Sequence, residues 1–359
     1  MRILADDNDL FQTNRIYCFG AGGIGKDFCD FISGKGYDLR KVVFVDNNIK
    51  LHNTYREIES VNIPIISKND MIDMITEKDI LVIATLACAE IYEELEKEER
   101  LKKQKVQFAQ LILSRQIKLS DLPANIDDIQ NKIPKIIHYC WFGGNKIPKE
   151  MQDYIDGWRR LCPDYEIIRW DESNYDISKN KYMRQAYEQK KWGFVPDYAR
   201  LDILYEYGGI YLDTDIELKK SLDELLAYDA FFAIGANLKV NTGSGFGTIP
   251  HNLLIAQMRD VYEPLEFIDG IGKINATPCP EYQFKPLKKF GFKLNGEKEV
   301  LDNILILPLN IMGAYNHYLD EYMIDENTIG VHYSKRSWHD EKMARWAEES
   351  VELLNGLTR

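Results

Sequence analysis

Four residues near the middle of this 359-residue chain have the types and spacing to handle a charged ligand. Asp213 and Asp215 flank Thr214 at the end of an apolar run, within IYLDTDIEL. In an extended strand, residues two apart face the same side, so both carboxylates can address one ligand. Paired carboxylates suit a hard divalent cation such as Mg2+ or Mn2+, which in turn neutralises a diphosphate. The tripeptide alone says little, since Asp7-Asn8-Asp9 repeats the pattern. Its surroundings, PDYARLDILYEYGGIYLDTDIEL, say more. Asp197 and Arg200 are three apart on a predicted helix and share a face. By themselves they read as a surface ion pair. Beside a cation site, the guanidinium becomes a planar, always-charged fork for phosphate or sugar oxygens.

A second candidate lies near the N-terminus. Gly20, Gly22 and Gly25 stand in G-x-G-x-x-G spacing between the first predicted strand and a helix. Such a loop lets backbone amides and a helix N-terminus approach a pyrophosphate. Asp46 ends the second strand, where a ribose hydroxyl would be held. The alternative is a scaffold whose glycines only allow tight strand–helix packing, so a nucleotide in the N-terminal domain stays an open reading. The string IYCFGAGGIG followed by VDNN resembles the small N-terminal domains of bacterial sugar-modifying proteins. That resemblance implies a nucleotide, a nucleotide-sugar or a retained scaffold as readily as NAD.

The elements that must position these residues fall into two domains. Runs 15–19, 41–45, 63–67, 79–85 and 106–112 are continuously apolar, and the stretches between most of them suit helices. Solidly apolar strands alternating with helices imply a parallel sheet covered on both faces, here an α/β, Rossmann-like domain over 1–118. Residues 119–132 lose the pattern and read as a linker. The second domain, 133–359, restarts with KIIHYCWF. It carries predicted helices over 148–161, 180–191, 196–207 and 340–354, and strands at 166–170, 210–218, DAFFAI, NILILP and IGVHY. Pro196 suits a first helical position, and Gly208-Gly209 ends that helix.

Composition excludes several classes. Fifty-seven acidic against 45 basic side chains give a net charge of −12, which argues against nucleic-acid binding. No apolar run approaches the roughly 18 residues of a membrane span. The N-terminus, with three aspartates, does not read as a secretory signal. Six scattered cysteines without a metal-like pair read as reduced thiols in a cytoplasmic protein. His138, inside the first strand of the second domain, reads as structural.

Three segments in order, IPKIIHYCWFGG, WRRLCPDYEIIRWD and DYARLDILYEYGGIYLDTD, together resemble the DXD-containing glycosyltransferases of family 32. That family includes bacterial capsule enzymes and fungal mannosyltransferases, and is related to glucosylating clostridial toxins. The likeness covers residues 133–338 and is most specific over 197–215. It implies a type-A (nucleotide-diphospho-sugar transferase) fold, a nucleotide-sugar donor, a divalent cation and retention at the anomeric carbon. It places Trp141 on the nucleotide base, Asp197 and Arg200 on the donor sugar and diphosphate, Asp213 on ribose and sugar hydroxyls, and Asp215 on the metal. GVHYSKRSWHDE resembles the closing segment of the family, which makes His332 a metal ligand and Ser337 and Trp338 diphosphate contacts. A histidine in the set tilts the ion toward Mn2+ over Mg2+. Asn241 is a candidate near the transferred sugar. ATPCPEY (276–282) departs from the family's usual Thr-Gly-Pro.

These readings converge on a metal-dependent hexosyltransferase with a saccharide or lipid-linked saccharide acceptor, in surface or capsular polysaccharide synthesis. A lipid-linked acceptor would bring it to the inner membrane face as a peripheral contact. Two other readings stand beside it: an NAD-dependent oxidoreductase built on the N-terminal loop, and a non-catalytic sugar-nucleotide sensor.

Overall fold

The computed structural model describes residues 1–4, 6–121, 131–334 and 341–358. The chain divides into two units: Met1–Ile117 with Asn316–Glu321 and Arg336–Arg359, and Lys118–Tyr315 with Tyr322–Lys335.

The first unit is built on strands β1 (Arg2–Ile3), β2 (Ile16–Phe19), β3 (Val42–Val45), β4 (Thr54–Ile58), β5 (Val61–Ile66), β6 (Ile80–Ile83) and β7 (Lys105–Phe108). They form one sheet in the order β1-β7-β6-β2-β3-β5-β4. Every neighbouring pair is parallel except the β4–β5 hairpin. Helices α1 (Gly23–Gly34), α2 (Lys68–Met74) and α3 (Cys88–Glu96) make crossovers between parallel strands, and α4 (Ala109–Ser114) follows the last strand, β7. β2, β3 and β6 are buried along their whole length, which is why their sequences are solidly apolar. This is the Rossmann-like α/β sheet the sequence predicts. Strand order reverses between β2 and β6, and the glycine loop sits at that switch point.

Sequence and structure part in three places. The run at 106–112 is a strand only as far as Phe108, and α4 begins at Ala109. The β4–β5 hairpin turns through Glu59 and Ser60, both with positive φ, where Asn-Gly is the usual signal. The C-terminal helix, Glu341–Thr358, belongs to the first unit and not to the domain drawn over 133–359. Ser350 donates to the Leu86 carbonyl (2.7 Å) and accepts from the Ala89 amide, while the Trp346 indole donates to Glu90 (2.6 Å). Its apolar stripe shows that it packs, but nothing in the local sequence says against what.

The second unit holds a mixed sheet of β8 (Ile136–Cys140), β9 (Glu166–Trp170), β10 (Gly209–Tyr211), β12 (Ala230–Ala233), β13 (Phe246–Thr248), β14 (Glu299–Leu301) and β15 (Ile304–Leu307). Its order is β14-β15-β12-β13-β10-β8-β9. β13 runs antiparallel between β10 and β12, and β14 is antiparallel to β15; the remaining neighbours are parallel. A small second sheet joins β11 (Ile216–Leu218), β16 (Met312–Gly313) and β17 (Gly330–His332) in the order β11-β17-β16. Helices α5 (Lys149–Leu161), α6 (Lys181–Glu188), α7 (Pro196–Tyr207), α8 (Leu253–Asp260) and α9 (Cys279–Lys289) complete the unit. The core gathers Ile137, Trp158, Ile210, Leu212, Ile216, Phe231 and Met312. α9 escaped the sequence reading because it carries Pro286 in its interior. All six cysteines are buried and unpaired. Among the described residues, no helix is long and apolar enough to cross a membrane.

α7 is buried on every side from Asp197 to Leu204, so it is a central element and not an amphipathic surface helix. Gly208 and Gly209, with φ of +64° and +93°, end it and feed β10 directly. A β-carbon on Gly209 would lie 2.7 Å from the Ile136 carbonyl oxygen, so only glycine lets β10 lie this close to β8. His138 on β8 fixes the same corner. Its Nδ1 accepts from the Trp170 indole (3.0 Å), which leaves Nε2 to donate to the Gly208 carbonyl (3.0 Å). Its role is structural, as the sequence suggests.

Burial pushes the His138 pKa down to about 4, against a weaker pull from the Gly208 hydrogen bond. The folded value lies below the unfolded one, so its contribution is complete above about pH 6.5 and is lost as pH falls toward 4. Wild-type melting temperature should therefore fall more steeply than that of His138→Gln between about pH 7 and 4.5, by up to ~3 kcal/mol of stability. Equal slopes in a differential scanning calorimetry series would refute the neutral, buried imidazole.

Candidate active site

The acid tripeptide lies where the chain leaves one sheet for another. β10 ends at Tyr211, and the Leu212 amide still donates to the His138 carbonyl (3.1 Å). Asp213-Thr214-Asp215 then turns, closed by the Ile216 amide on the Asp213 carbonyl (3.1 Å), and β11 joins the small sheet. The single strand expected over 210–218 is thus two strands in two sheets. The two carboxylates are neighbours because of this turn, and strand alternation plays no part. The Trp158 indole of α5 donates to the Ile216 carbonyl (2.9 Å), and the Tyr333 amide donates to the Asp215 carbonyl (3.2 Å). Both bonds hold the turn from outside the tripeptide.

α7 places Arg200 behind the turn. Its Nη2 bonds Asp197 Oδ1 at 3.0 Å, and its Nη1 lies 3.7 Å from Asp213 Oδ2. Nε donates to the Pro196 carbonyl (3.0 Å), and Nη1 reaches Thr242 Oγ1 (3.5 Å). The guanidinium lies over the Tyr211 ring at 5.1 Å, and the Tyr211 hydroxyl donates to Asp213 Oδ1 (3.0 Å). Arg200 is only 3% exposed, so its fork is engaged inside the protein, where it positions Asp213. The expected surface-type pair is instead a buried one. Burial raises the pKa of Asp197 to about 7, although Arg200 opposes it. The Asp213 carboxyl is also raised, first by burial and then by Asp215, with Arg200 again opposing.

The third member comes from far along the chain. In the small sheet Ile216 pairs with His332, which brings His332 Nε2 to 3.2 Å from Asp215 Oδ1. Its Nδ1 faces Ser244 Oγ (3.0 Å) and Ser334 Oγ (3.3 Å). Burial pulls the imidazole pKa down, but the Asp215 carboxylate more than offsets this and the net shift is upward. One ligand atom each of Asp213, Asp215 and His332 lies within 4.8 Å of the other two. Two carboxylates and an imidazole fit a divalent cation of the Mn2+ kind. The hydroxyls at Nδ1 fit as well, since metal-binding histidines are oriented through their other ring nitrogen.

The loop between β12 and β13 closes the group. β13 reverses direction in the sheet, so this loop crosses the edge where the carboxyl ends of β8 and β10 lie. Asn241 Oδ1 accepts from the Gly243 amide (3.0 Å), and the Cys279 thiol at the start of α9 lies 4.0 Å from it. The buried Gln283 side chain donates to Thr242 Oγ1 (2.8 Å). ATPCPEY thus supplies a buried cysteine next to this loop. Thr242, Gly243 and Ser244 lie in NTGSGFGTIPHN (241–252), which resembles the family's loop near the transferred sugar, but the sequence singles out only Asn241 within it, and does not single out Tyr211 at all. Trp141 is half-buried just past β8, at the same strand edge as Asp213, with its indole donating to the Asn145 carbonyl (2.6 Å). Ser337 and Trp338 lie outside the described residues.

The N-terminal glycines sit in the other unit. A β-carbon on Gly20 would lie 2.4 Å from the Ala84 carbonyl oxygen, and one on Gly25 would lie 2.0 Å from the Gly20 carbonyl oxygen. Gly22 has open space around it. Asp46 accepts from the Ala21 amide (3.0 Å) and the Asn48 amide (2.8 Å), and Arg56 donates to the Ala21 carbonyl. Two of the three glycines and the acid thus serve the loop's own packing.

Residues 148–232 match the family described as "Glycosyltransferase sugar-binding region containing DXD motif". Over that stretch the chain is similar to the DXD sugar-binding region of glycosyltransferases. Inositol phosphoceramide mannosyltransferase 3 of Schizosaccharomyces pombe is 36% identical over 119 residues, 30% of this chain and 33% of that protein. A mannosyl phosphorylinositol ceramide synthase of Saccharomyces cerevisiae is 34% identical over 124 residues, 33% of this chain and 32% of that protein. The chain therefore spans about a third of the length of these curated relatives. Among solved structures, a glycosyltransferase involved in glycosylation of the major capsid of PBCV-1 aligns with a TM-score of 0.35 at 13% identity, over 61% of this chain and 100% of that one. That likeness is too loose to add to what the sheet order shows. The DXD region contains Asp197, Arg200, Asp213 and Asp215, and ends before the loop at 241–245 and His332.

A β-carbon on Gly243 would lie 2.7 Å from Asp213 Oδ2 and 3.2 Å from Arg200 Nη1. Gly243→Ala should push the Asp213 carboxylate out of its place between Arg200 and Tyr211, and melting temperature should fall as the buried guanidinium loses a partner. Mn2+ affinity by titration calorimetry should drop roughly 10–100-fold, as it does when the support of a metal ligand is disturbed. Unchanged affinity would remove Asp213 from the ligand set.

Proposed function

We propose that this chain is a metal-dependent, retaining glycosyltransferase that moves a hexose from a nucleoside-diphosphate donor to a saccharide or lipid-linked saccharide acceptor. The observation that carries this is the convergence of Asp213, Asp215 and His332 on one point, with Arg200 buried behind Asp213. The names of the relatives favour mannose as the first sugar to test. A lipid-linked acceptor, in surface polysaccharide assembly, would put the enzyme on the cytoplasmic face of a membrane.

Asp213, Asp215 and His332 would hold the divalent cation, which when bound supplies positive charge against the donor diphosphate. Arg200 opposes the upward shift of Asp213 and holds it in place, Asp197 fixes Arg200, and Ser244 orients His332. Trp141, at the same strand edge, offers an indole face to the nucleotide base. In the transfer, the bond from the anomeric carbon to the phosphate oxygen breaks and its electron pair leaves with the diphosphate. The acceptor oxygen bonds to the anomeric carbon from the same face, and its proton passes to the departing phosphate oxygen. Stabilising leaving-group charge is the main catalytic term, and the site needs no activated nucleophile.

The test is a screen of nucleotide sugars with Mn2+, following released nucleoside diphosphate and sugar product. Wild type should turn over at least one donor. Asp215→Asn should lose about 100-fold or more of that rate, the scale of several kcal/mol of missing charge stabilisation, at nearly unchanged melting temperature. Donor binding without turnover would recast the protein as a sensor. A large stability loss in Asp215→Asn would make the carboxylate structural.

A further inference from the structure

We propose that a row of four tyrosines beside the acid turn is the acceptor-binding strip, shaped for a neutral saccharide. The proposal rests on the transferase reading and extends it to the second substrate. Tyr154 of α5 stacks on Tyr333, with ring centres 5.4 Å apart and planes at 7°. Tyr333 meets Tyr322 at 5.8 Å, and Tyr322 meets Tyr315 at 4.9 Å. All four rings lie in the second unit and are partly exposed, Tyr322 most of all at 45%. Twenty-one tyrosines are spread through the sequence, and these four come from three separate segments to meet at one surface.

The strip borders the site directly. Tyr333 follows His332, and its amide bonds the Asp215 carbonyl at 3.2 Å. One turn before Tyr154, the Met151 sulfur lies 3.5 Å from Thr214 Oγ1, inside the acid tripeptide. An acceptor held here would lie beside the acid turn without occupying the cation site.

The chemistry of the rim selects the ligand. The Tyr333 hydroxyl donates to Glu217 Oε2 (2.6 Å), while Glu217 Oε1 pairs with Lys219 Nζ (2.8 Å), which balances that acid. The Tyr154 hydroxyl donates to Glu150 Oε1 (2.9 Å). Carboxylates along an aromatic surface oppose a phosphate or a nucleotide and accept hydrogen bonds from neutral hydroxyls. Aromatic faces present electron density to the weakly positive C–H face of a pyranose ring. Sugar hydroxyls and C–H faces match both features, whereas the anionic donor matches neither and is met by the cation site instead.

The experiment uses the full chain and a panel of neutral mono- to tetrasaccharides of mannose, glucose, galactose and N-acetylglucosamine. Saturation-transfer NMR without donor reads binding. Steady-state kinetics with donor reads acceptor KM and, separately, donor hydrolysis by water. In Tyr322→Ala the NMR signal should vanish and acceptor KM should rise roughly tenfold, the equivalent of ~1.4 kcal/mol. Donor hydrolysis and melting temperature should stay at wild-type level, and Tyr322→Phe, which keeps the ring, should restore binding. The proposal is overturned if no saccharide in the panel binds wild type, if Tyr322→Ala binds as wild type does, or if hydrolysis falls in step with transfer. Should wild type bind saccharide through Tyr322 yet process no donor, the transferase reading fails and the strip stands.

Discussion

A guanidinium sealed between two carboxylates is the constraint around which the second unit is arranged. Arg200 is closed off from solvent, and a buried charge of that kind is tolerated only with partners in good geometry. Asp197 one turn back, the Pro196 carbonyl, Thr242 and Asp213 supply them. Because these partners come from α7, from the loop after β12 and from the end of β10, one side chain ties three elements together. Losing any of them leaves a charge without compensation, so the pieces stand or fall as a group. The arrangement also leaves acidic charge in excess. Two aspartates and a third at the turn face a single arginine and one imidazole, and burial, with the neighbouring carboxylates adding to it, raises the carboxyl pKa values of Asp197 and Asp213. A site with that imbalance favours an added cation.

Much of this was legible in the sequence, and the reasons are local. Solid apolar runs announced β2, β3 and β6, because strands buried on both faces have no polar alternation to hide them. Pro196 at the start and Gly208-Gly209 at the end bracketed α7 almost to the residue. The acidic tripeptide, Asp197 and Arg200 stood out for the same reason: all four charged groups lie within one continuous segment.

What escaped depended on distant chain. The β4–β5 turn uses Glu59 and Ser60 where propensity expects glycine or asparagine, because the surrounding sheet enforces the conformation. Ser244, Thr242 and Tyr211 are ordinary residues by type, and only the reversal of β13 brings their loop to the acid edge. Arg200 stood out as a charged residue one turn from Asp197, yet its burial could not be read from a helix whose faces are covered from Asp197 to Leu204. The C-terminal helix was recognisable as a helix, but its destination was written in the surface of α3.

The small three-stranded sheet has a consequence for biogenesis. It unites Ile216–Leu218 with Gly330–His332, so the imidazole reaches the acidic turn only once that much later strand has been made and paired. A nascent chain has two carboxylates and no nitrogen ligand, and its hold on any metal is correspondingly weak. An ion that needed all three groups could be held only after these two strands have paired.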